Sequence, residues 1–195
     1  MTNELIANFK QKISPAVFKV VEKHSLVTLD EPEYTLKLRL ISASDGGIVF
    51  RIEDFKQKAD YFLGGGSRRA GGKDNDLTFL DSQCIYQFEV KKTKHPQQLL
   101  GKTQLKAGLR WVRHILDVSC SEHEQLLTKV AYIQISIPKR PNLVRSAKKY
   151  RFLLSDNVLI VAVSSEVIEV EFVKIYNYIL SNGHVLQNLD WKKIY

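Results

Sequence analysis

The sequence predicts an α/β domain with a mixed central sheet and flanking helices, in the order αβββαβ through residue 137, with an extension at the C-terminus. Two periodicities support this class, because apolar residues recur at every second position in a strand and at three- and four-residue steps in a helix. Strand-like alternation occurs in the segments 34–43, 48–52, 76–91 and 130–137. Helical spacing occurs in the segments 3–24 and 97–117.

The N-terminal third is predicted to contain a helical region and a β-hairpin. In the helical region at 3–24, Ser14-Pro15 divides the helix in two, because proline suits a first turn better than an interior. The strand at 34–43 is followed by a tight-turn signal, Ser44-Asp45-Gly46-Gly47. We therefore expect the strand at 48–52 to return beside it as a hairpin.

Further helices and strands are expected along the rest of the chain. They are a short helix or loop at 53–58, a helix at 97–117 with Pro96 in its first turn, helical turns at 122–129, a strand covered on both faces at 158–163 and a helix at 166–180. The helix at 97–117 is expected to pack on the sheet through Leu105, Leu109, Val112 and Leu116. The helix at 166–180 is expected to turn inward Val170, Val173, Tyr176 and Ile179 or Leu180, although β-branched residues at 167–173 also suit a strand.

Composition indicates one globular domain with an affinity for anions. The chain has 195 residues, of which 44% are hydrophobic and 26% charged, as in an ordinary globular protein. We expect a single domain over 1–195, with a core at about 34–137 and an α/β extension at about 138–195. The net charge of +8 favours a polyanionic partner such as nucleic acid, although some basic proteins are merely soluble.

Cysteine content and hydropathy bear on the compartment. Cys84 and Cys120 form neither a disulfide framework nor a zinc-binding spacing, which is typical of a reducing compartment. The start Met1-Thr2-Asn3-Glu4 differs from a secretory signal, and no apolar run approaches the roughly 20 residues that span a bilayer. We therefore expect a cytoplasmic, intracellular protein without a membrane segment.

The segment 76–91 is predicted to form two short strands joined by a polar turn, with two carboxylates and a lysine at their ends. Alternation places Glu89 and Lys91 on the same face as Gln87. Asp76 heads the neighbouring strand and is expected to lie close to both. Two carboxylates beside a lysine suit a hard divalent cation that activates water. An ordinary cross-strand salt bridge is the alternative interpretation.

The pattern acid-x-Lys also occurs at Asp54-Phe55-Lys56 and at Asp190-Trp191-Lys192. Asp54 follows a strand pattern and is not inside it, and its upstream acid, Asp45, belongs to a turn signal. Asp190 has no alternating strand around it. Glu89 alone lies inside an alternating strand that is paired with an acid-headed strand and followed by a helix, so it is the preferred candidate.

Asp76 followed by Glu89-Val90-Lys91 resembles the signature of the PD-(D/E)XK nuclease superfamily, with Asn75 where that family often has proline. The Gly64-Gly65-Gly66-Ser67 segment resembles the glycine- and serine-rich loop of archaeal Holliday-junction resolvases. The resemblance covers roughly residues 60–118. It implies a restriction-endonuclease-like αβββαβ core and metal-dependent hydrolysis of DNA phosphodiester bonds.

The resemblance also implies roles for individual residues. Asp76 and Glu89 would hold one or two Mg²⁺ or Mn²⁺ ions, with the Val90 carbonyl as a further ligand. Lys91 would orient the attacking water or stabilise charge on the phosphate. Gln104, on the following helix, would help to position the site.

Members of this family often carry a further acid on a leading helix, for which Glu4 and Glu22 are the candidates. Each of these two glutamates also fits a solvated surface position. The sequence leaves open which acid, if either, completes the site.

Basic residues form three candidate contacts with a DNA backbone. A shared helix face carries Lys102, Lys106, Arg110 and Arg113, and the glycine-rich loop carries Ser67, Arg68, Arg69 and Lys73. A third cluster consists of Arg145, Lys148, Lys149 and Arg151. The alternatives are a solvated basic face for the helix and a flexible linker for the loop.

The sequence therefore predicts a Mg²⁺- or Mn²⁺-dependent DNA endonuclease that selects DNA by shape and acts as a homodimer, with apolar residues of 158–180 as the dimer face. A sequence-specific restriction-type enzyme and a non-catalytic DNA-binding module are the alternatives. Other chemistries lack their motifs: the chain has no P-loop, no Gly-x-Ser-x-Gly elbow and no GxGxxG fingerprint.

Overall fold

The computed structural model describes residues 2–41, 46–59, 74–139, 150–163 and 169–194. Several predicted DNA contacts lie outside the described residues: Ser67, Arg68, Arg69, Lys73, Arg145, Lys148 and Lys149. The predicted turn at 44–47 and the start of the helix predicted at 166–180 also fall partly outside them.

Among the described residues the main sheet has eight strands: β1 Phe18–Val21, β4 Gly47–Phe50, β5 Leu77–Asp81, β6 Cys84–Thr93, β7 Lys129–Pro138, β8 Tyr150–Ser155, β9 Val158–Val163 and β11 Gln187–Asn188. Seven of them lie in the order β1-β4-β5-β6-β7-β9-β8, and β11 pairs with β7. The neighbouring pairs β1–β4, β4–β5 and β5–β6 are antiparallel, whereas the pairs β6–β7 and β7–β9 are parallel. The predicted mixed α/β class is thus confirmed.

A second, three-stranded sheet consists of β2 Ser25–Glu31, β3 Tyr34–Leu40 and β10 Glu169–Glu171. The helices are α1 Thr2–Lys12, α2 Ile52–Ala59, α3 Lys102–Ser119, α4 His123–Leu126 and α5 Phe172–Ser181. Helix α3 connects the parallel strands β6 and β7, which is the crossover that a parallel pair requires. Within the described residues, no helix is both long enough and apolar enough to cross a membrane.

Two apolar cores cover the two faces of the main sheet. On one face, α1 and α3 pack against the sheet through residues such as Phe9, Leu109 and Val112. On the other, the small sheet and α5 pack against residues such as Phe79 and Phe88. Side chains that alternate along β5 and β6 therefore enter different cores. Both faces are buried, so the polar residues on the α3 face of these strands are enclosed as well.

The predicted N-terminal helix and hairpin are wrong in part. The second piece of the helix, after Ser14-Pro15, is strand β1, because its valines and phenylalanine pack on the sheet instead of forming a helical stripe. Strand β3 pairs with β2 and not with β4, so the strands predicted at 34–43 and 48–52 do not form a hairpin. Strand β2 was missed, although Val27 and Leu29 alternate with exposed residues along it.

Two helices, α3 and α5, begin later than predicted. Helix α3 begins at Lys102, so Pro96 lies in a preceding turn and not in its first turn. Helix α5 begins at Phe172, after β10 pairs with β3, which shifts the inward face to Phe172, Ile175 and Ile179. Val173 is 37% exposed, contrary to the prediction, whereas Val170 and Ile179 are buried as predicted. Leu180, the alternative to Ile179, is 59% exposed.

The other predicted elements are confirmed. Strands β5 and β6 form the hairpin expected in 76–91, and β7 and β9 match the strands expected at 130–137 and 158–163. Every residue of β9 is buried, as its continuous apolar pattern indicates. The predicted stripe of α3 is buried at Leu105, Leu109, Val112 and Leu116.

The inward face of α5 can be tested by truncating Phe172. Its ring lies 5.3 Å from that of Phe79, 5.0 Å from Tyr86 and 6.1 Å from Phe88, centroid to centroid. Phe172→Ala should lower the free energy of unfolding by about 3–5 kcal/mol, measured by urea denaturation. The neighbouring Val173→Ala is the control and should change it by less than about 0.5 kcal/mol. Equal effects would contradict the observed helix phase.

Candidate active site

Asp76 and Glu89 meet at one edge of the main sheet. Leu77 pairs with Phe88 in the antiparallel register of β5 and β6, so Asp76, one residue earlier, lies opposite Glu89. Asp76 accepts a hydrogen bond on Oδ2 from the backbone N–H of Val90, at 2.7 Å. Lys91 donates from Nζ to Oε1 of Glu89. The structure therefore brings together the three residues that the sequence singled out.

Glu89 is a buried carboxylate, only 3% exposed. Oε1 is bound by Lys91, whereas Oε2 is buried and has no hydrogen-bond partner among the described residues. An unsatisfied buried carboxylate oxygen is costly, because it has lost its water and gained nothing in exchange. A cation or its bound water would satisfy it.

The electrostatics of the pair oppose ionisation. Burial raises the pKa of Glu89 to about 8; the charge of Asp76 raises it as well, while Lys91 acts in the opposite direction. Burial also raises the pKa of Asp76, against the hydrogen bond from Val90 and the charge of Lys91, which lower it. Two carboxylates that repel each other in a desolvated site are stabilised by a divalent cation.

Helix α3 passes so close to the site that two of its contact positions are glycines. A Cβ built at Gly101 would lie 2.7 Å from Cγ of Glu89, and one at Gly108 would overlap Oδ1 of Asn75. Asn75 is itself buried and donates to the Leu77 carbonyl at 2.6 Å. The residue beside Asp76 is thus fixed by the strand below it and the helix above it.

Gln104 lies between these two glycines along α3, three residues after Gly101. It is half-buried. Its positioning role therefore stays a prediction.

Gln134 was missed by sequence analysis and holds the start of α3. It is buried on β7, opposite Glu89 in the parallel register. Its Oε1 accepts from the backbone N–H groups of Leu100 and Gly101 at 2.7 and 2.8 Å. Its Nε2 donates to the Gln98 carbonyl and to Oγ of Ser136, both at 2.8 Å. The signal was present, since polar residues alternate with isoleucines in β7.

Acidic residues other than the predicted ones affect the pKa values of Asp76 and Glu89. Glu4 and Glu22 are exposed. The charge of Glu31 raises the pKa of Asp76, and that of Asp74 raises the pKa of Glu89. Glu31 ends β2, a strand that the sequence analysis did not predict, so its approach to the site was not foreseen.

Tyr34 and Arg51 complete this side of the site. Arg51 donates from Nη2 to Oε1 of Glu31 at 2.8 Å and to Oε2 of Glu53 at 3.0 Å. Tyr34 pairs with Glu31 across the β2–β3 turn. Burial raises the pKa of the Tyr34 hydroxyl, as do the charges of Asp76, Glu31 and Glu89. Tyr34 therefore stays a proton donor.

The predicted basic face of α3 is divided between solvent and structural contacts. Lys106 and Arg110 are exposed, and Lys102 forms an ion pair with Asp156 at 3.0 Å. Arg113 instead donates to the backbone carbonyls of Trp191 and Ile194 at 2.6 and 2.7 Å. It thereby fixes the C-terminal segment to α3, a role that differs from the predicted phosphate contact. Arg151 of the third cluster is exposed on β8.

The two rival acid-x-Lys motifs do not lie in strands. Asp54 is in the first turn of α2. Asp190 precedes a short 3₁₀ turn and accepts from the Lys192 backbone N–H at 3.2 Å. Neither acid has the strand context that Glu89 has.

Asp76 and Glu89 suit a small hard cation that keeps several bound waters better than a cation whose ligands all come from the protein. In the part of the chain that the structure describes, no three His, Cys, Asp or Glu side chains are grouped to hold a metal. Mg²⁺ commonly takes only one or two carboxylates and keeps several waters. Asp76 and Glu89 supply that number, and Oε2 of Glu89 is left without a protein partner among the described residues. The Val90 amide is occupied by Asp76, which leaves its carbonyl as the group predicted to bind the metal.

The raised pKa of Glu89 predicts how stability changes with pH in the absence of divalent cations. Between the ordinary glutamate pKa of 4.5 and about 8, the folded protein keeps a proton that the unfolded chain loses. The unfolded state therefore binds fewer protons, and stability falls as pH rises through this window. Glu89→Gln, which cannot ionise, should flatten the decline and make the variant more stable than the wild type at about pH 9.

Urea unfolding at several pH values, in chelator, measures this effect. Glu22→Gln, at an exposed glutamate, is the control and should follow the wild-type curve. Parallel curves for wild type and Glu89→Gln would show that Glu89 is already ionised in the folded protein at neutral pH.

Comparison of the chain with protein-family models, with curated protein sequences and with solved structures yields no significant match in any of the three. The functional interpretation therefore depends on the residues and geometry of the site.

Proposed function

We propose that the protein is a metal-dependent DNA nuclease of the PD-(D/E)XK type, with Asp76, Glu89 and Lys91 at its active centre. The observation that carries the proposal is the meeting of two carboxylates across β5 and β6, with Lys91 on one oxygen of Glu89 and the other oxygen buried without a described partner. A salt bridge alone explains the first oxygen and leaves the second unexplained.

The topology around the site supports the proposal. The elements follow in the order α1, β1, β2, β3, β4, α2, β5, β6, α3, α4 and β7. Leaving out β1, β2, β3, α2 and the short α4 gives the order αβββαβ. β4, β5 and β6 are antiparallel neighbours, and β7 lies parallel to β6. In this interpretation β1, β2 and β3 are an insertion between α1 and β4, and α2 is a second insertion between β4 and β5. The restriction-endonuclease-like core is proposed on this order.

The proposed chemistry divides between the metal and the side chains. Bound Mg²⁺ or Mn²⁺ supplies an acidified water and positive charge near the phosphate. Asp76 and Glu89 hold the ion, and the Val90 carbonyl is a further candidate ligand. Lys91, on the face of Glu89, stabilises negative charge on the phosphate or orients the water. Gly101 lets α3 approach Glu89, and Gln104 is a candidate positioning residue on this helix.

DNA and dimerisation are parts of the same proposal. Lys106 and Arg110 are exposed basic residues on α3 and suit contacts with a DNA backbone, which position DNA without selecting a base sequence. We propose selection by DNA shape on this ground. Val173 and Leu180 are exposed apolar residues of α5 and are proposed to contribute to a dimer face.

Glu89→Ala tests the nuclease directly. It should abolish cleavage with Mn²⁺ of supercoiled, linear, single-stranded and branched DNA, while DNA binding in chelator persists, because the variant loses a metal ligand and no cationic residue. Asp76→Ala and Lys91→Ala should also lose cleavage. Gel assays of cleavage and binding measure both properties.

Glu22→Ala is the control and should cut like the wild type, since Glu22 is exposed. A wild-type protein that binds these DNAs and leaves all of them intact would establish the non-catalytic DNA-binding module instead. Discrete products from a long duplex, with a four-way junction uncut, would favour the restriction-type enzyme.

The DNA path can be tested by the salt dependence of binding. Each lost phosphate contact lowers the slope of log affinity against log salt by about 0.9 on duplex DNA, so replacing both Lys106 and Arg110 by alanine should lower it by about 1.8. The matched control replaces Lys10 and Lys12 of α1, which are also exposed. An unchanged slope in the α3 variant would place the DNA elsewhere, most simply on Arg151 and the basic residues that precede it.

A further inference from the structure

A groove of about 180 Å³ opens beside the proposed active site. Its walls include Val27, Leu29, Phe50 and Leu77, which are buried apolar residues of β2, β4 and β5. Leu77, whose side chain belongs to the core on the face opposite α3, directly follows Asp76 in the chain. Pockets for drug-sized ligands are about 300–1,000 Å³, so this groove suits a single small group.

The groove and the carboxylates share one edge of the main sheet. Phe50, the last residue of β4, pairs with Thr78 of β5. The end of β4 therefore lies beside the start of β5, where Asp76 stands. Glu31, whose charge acts on Asp76, is held by Arg51, and Arg51 lines the groove. The ion pair of Arg51 with Glu31 therefore connects the groove with the carboxylates.

Polar groups at the groove supply both a donor and an acceptor. Arg51 lines the groove, and its Nη2 binds Glu31 and Glu53. Asp54, in the first turn of α2, also lines the groove. An arginine and an aspartate at an otherwise apolar groove suit a ligand that brings both an acceptor and a donor.

We propose that this groove binds one unpaired nucleobase of the strand whose phosphate lies at Asp76 and Glu89. The inference rests on the proposed function and specifies its substrate. A base has an apolar face for the walls, a ring nitrogen or carbonyl that accepts from Arg51, and in some cases an amino group that donates to Asp54. A base can enter only where it is unstacked, so the substrate is single-stranded, flapped or branched DNA.

Two groove-filling variants test the proposal. Ala16 and Thr28 are exposed residues that line the groove, so Ala16→Leu and Thr28→Leu should narrow it without disturbing the core. Ala7→Leu, at an exposed alanine of α1 that is not among the lining residues, is the matched control. Each change is made in the Glu89→Ala background, so that binding is measured without cleavage.

The probe is a short single strand with 2-aminopurine in place of every adenine. Binding should change its fluorescence, because a base leaves its stacked neighbours for the groove. Ala16→Leu and Thr28→Leu should each remove this change and weaken binding of the single strand about tenfold, the loss typical of one base contact. Their affinity for uninterrupted duplex DNA should match that of the Ala7→Leu control.

The outcomes distinguish the base-binding proposal from the nuclease proposal. If both groove variants keep wild-type affinity and fluorescence, the base-binding proposal is wrong, while Glu89-dependent cleavage by the wild type would still support the nuclease. If the groove variants lose base binding and the wild type does not cleave DNA, the base-binding proposal stands and the nuclease proposal is wrong. If the Glu89→Ala protein binds no DNA, the base-binding proposal is wrong, and cleavage by the wild type tests the nuclease proposal separately.

Discussion

The rest of the site depends on the burial of one carboxylate, that of Glu89, between the central sheet and α3. Burying a charged group costs several kcal/mol unless partners replace its water. Here Lys91 binds one oxygen, and the charge of Asp76 makes ionisation harder. The fold maintains this arrangement with close packing: glycines at 101 and 108 let α3 approach, and Gln134 ties the turn before α3 to β7. Such an arrangement lowers stability, and environments of this kind are common at functional sites.

The neighbouring elements supply what surrounds the pair. The β2–β3 turn brings Glu31 and Tyr34 to the carboxylates, and Arg51 connects Glu31 to the groove. Lys92 donates to the carbonyl of Glu33 at 2.8 Å and so joins β6 to the same turn. The small sheet is thus both a cover for the core and one wall of the site. The segment before β4 therefore contributes to a site built on β5 and β6.

Local periodicity predicted the elements whose buried face is determined by their own pattern of apolar and polar residues. The β5–β6 hairpin was predicted by alternation and the stripe of α3 by helical spacing, and with them came Asp76, Glu89 and Lys91 on adjacent strands. Long-range pairing was not predictable in this way. The valines before β2 fit a helix or a strand equally. Arg113 continues the helical spacing of Lys106 and Arg110, yet it binds the C-terminal segment. Gln134 gains its role only when β7 lies beside β6.

Calorimetric titration with Mn²⁺ tests most directly whether the carboxylate pair is a metal site, because it does not depend on any DNA substrate. Near neutral pH, Glu89 carries a proton in the metal-free protein if its pKa is about 8. Binding of Mn²⁺ should therefore release about one proton per ion, measured in buffers that differ in ionisation enthalpy. Glu89→Gln and Asp76→Asn should lose the binding. Heats and proton release that are the same in wild type and both variants would contradict the account.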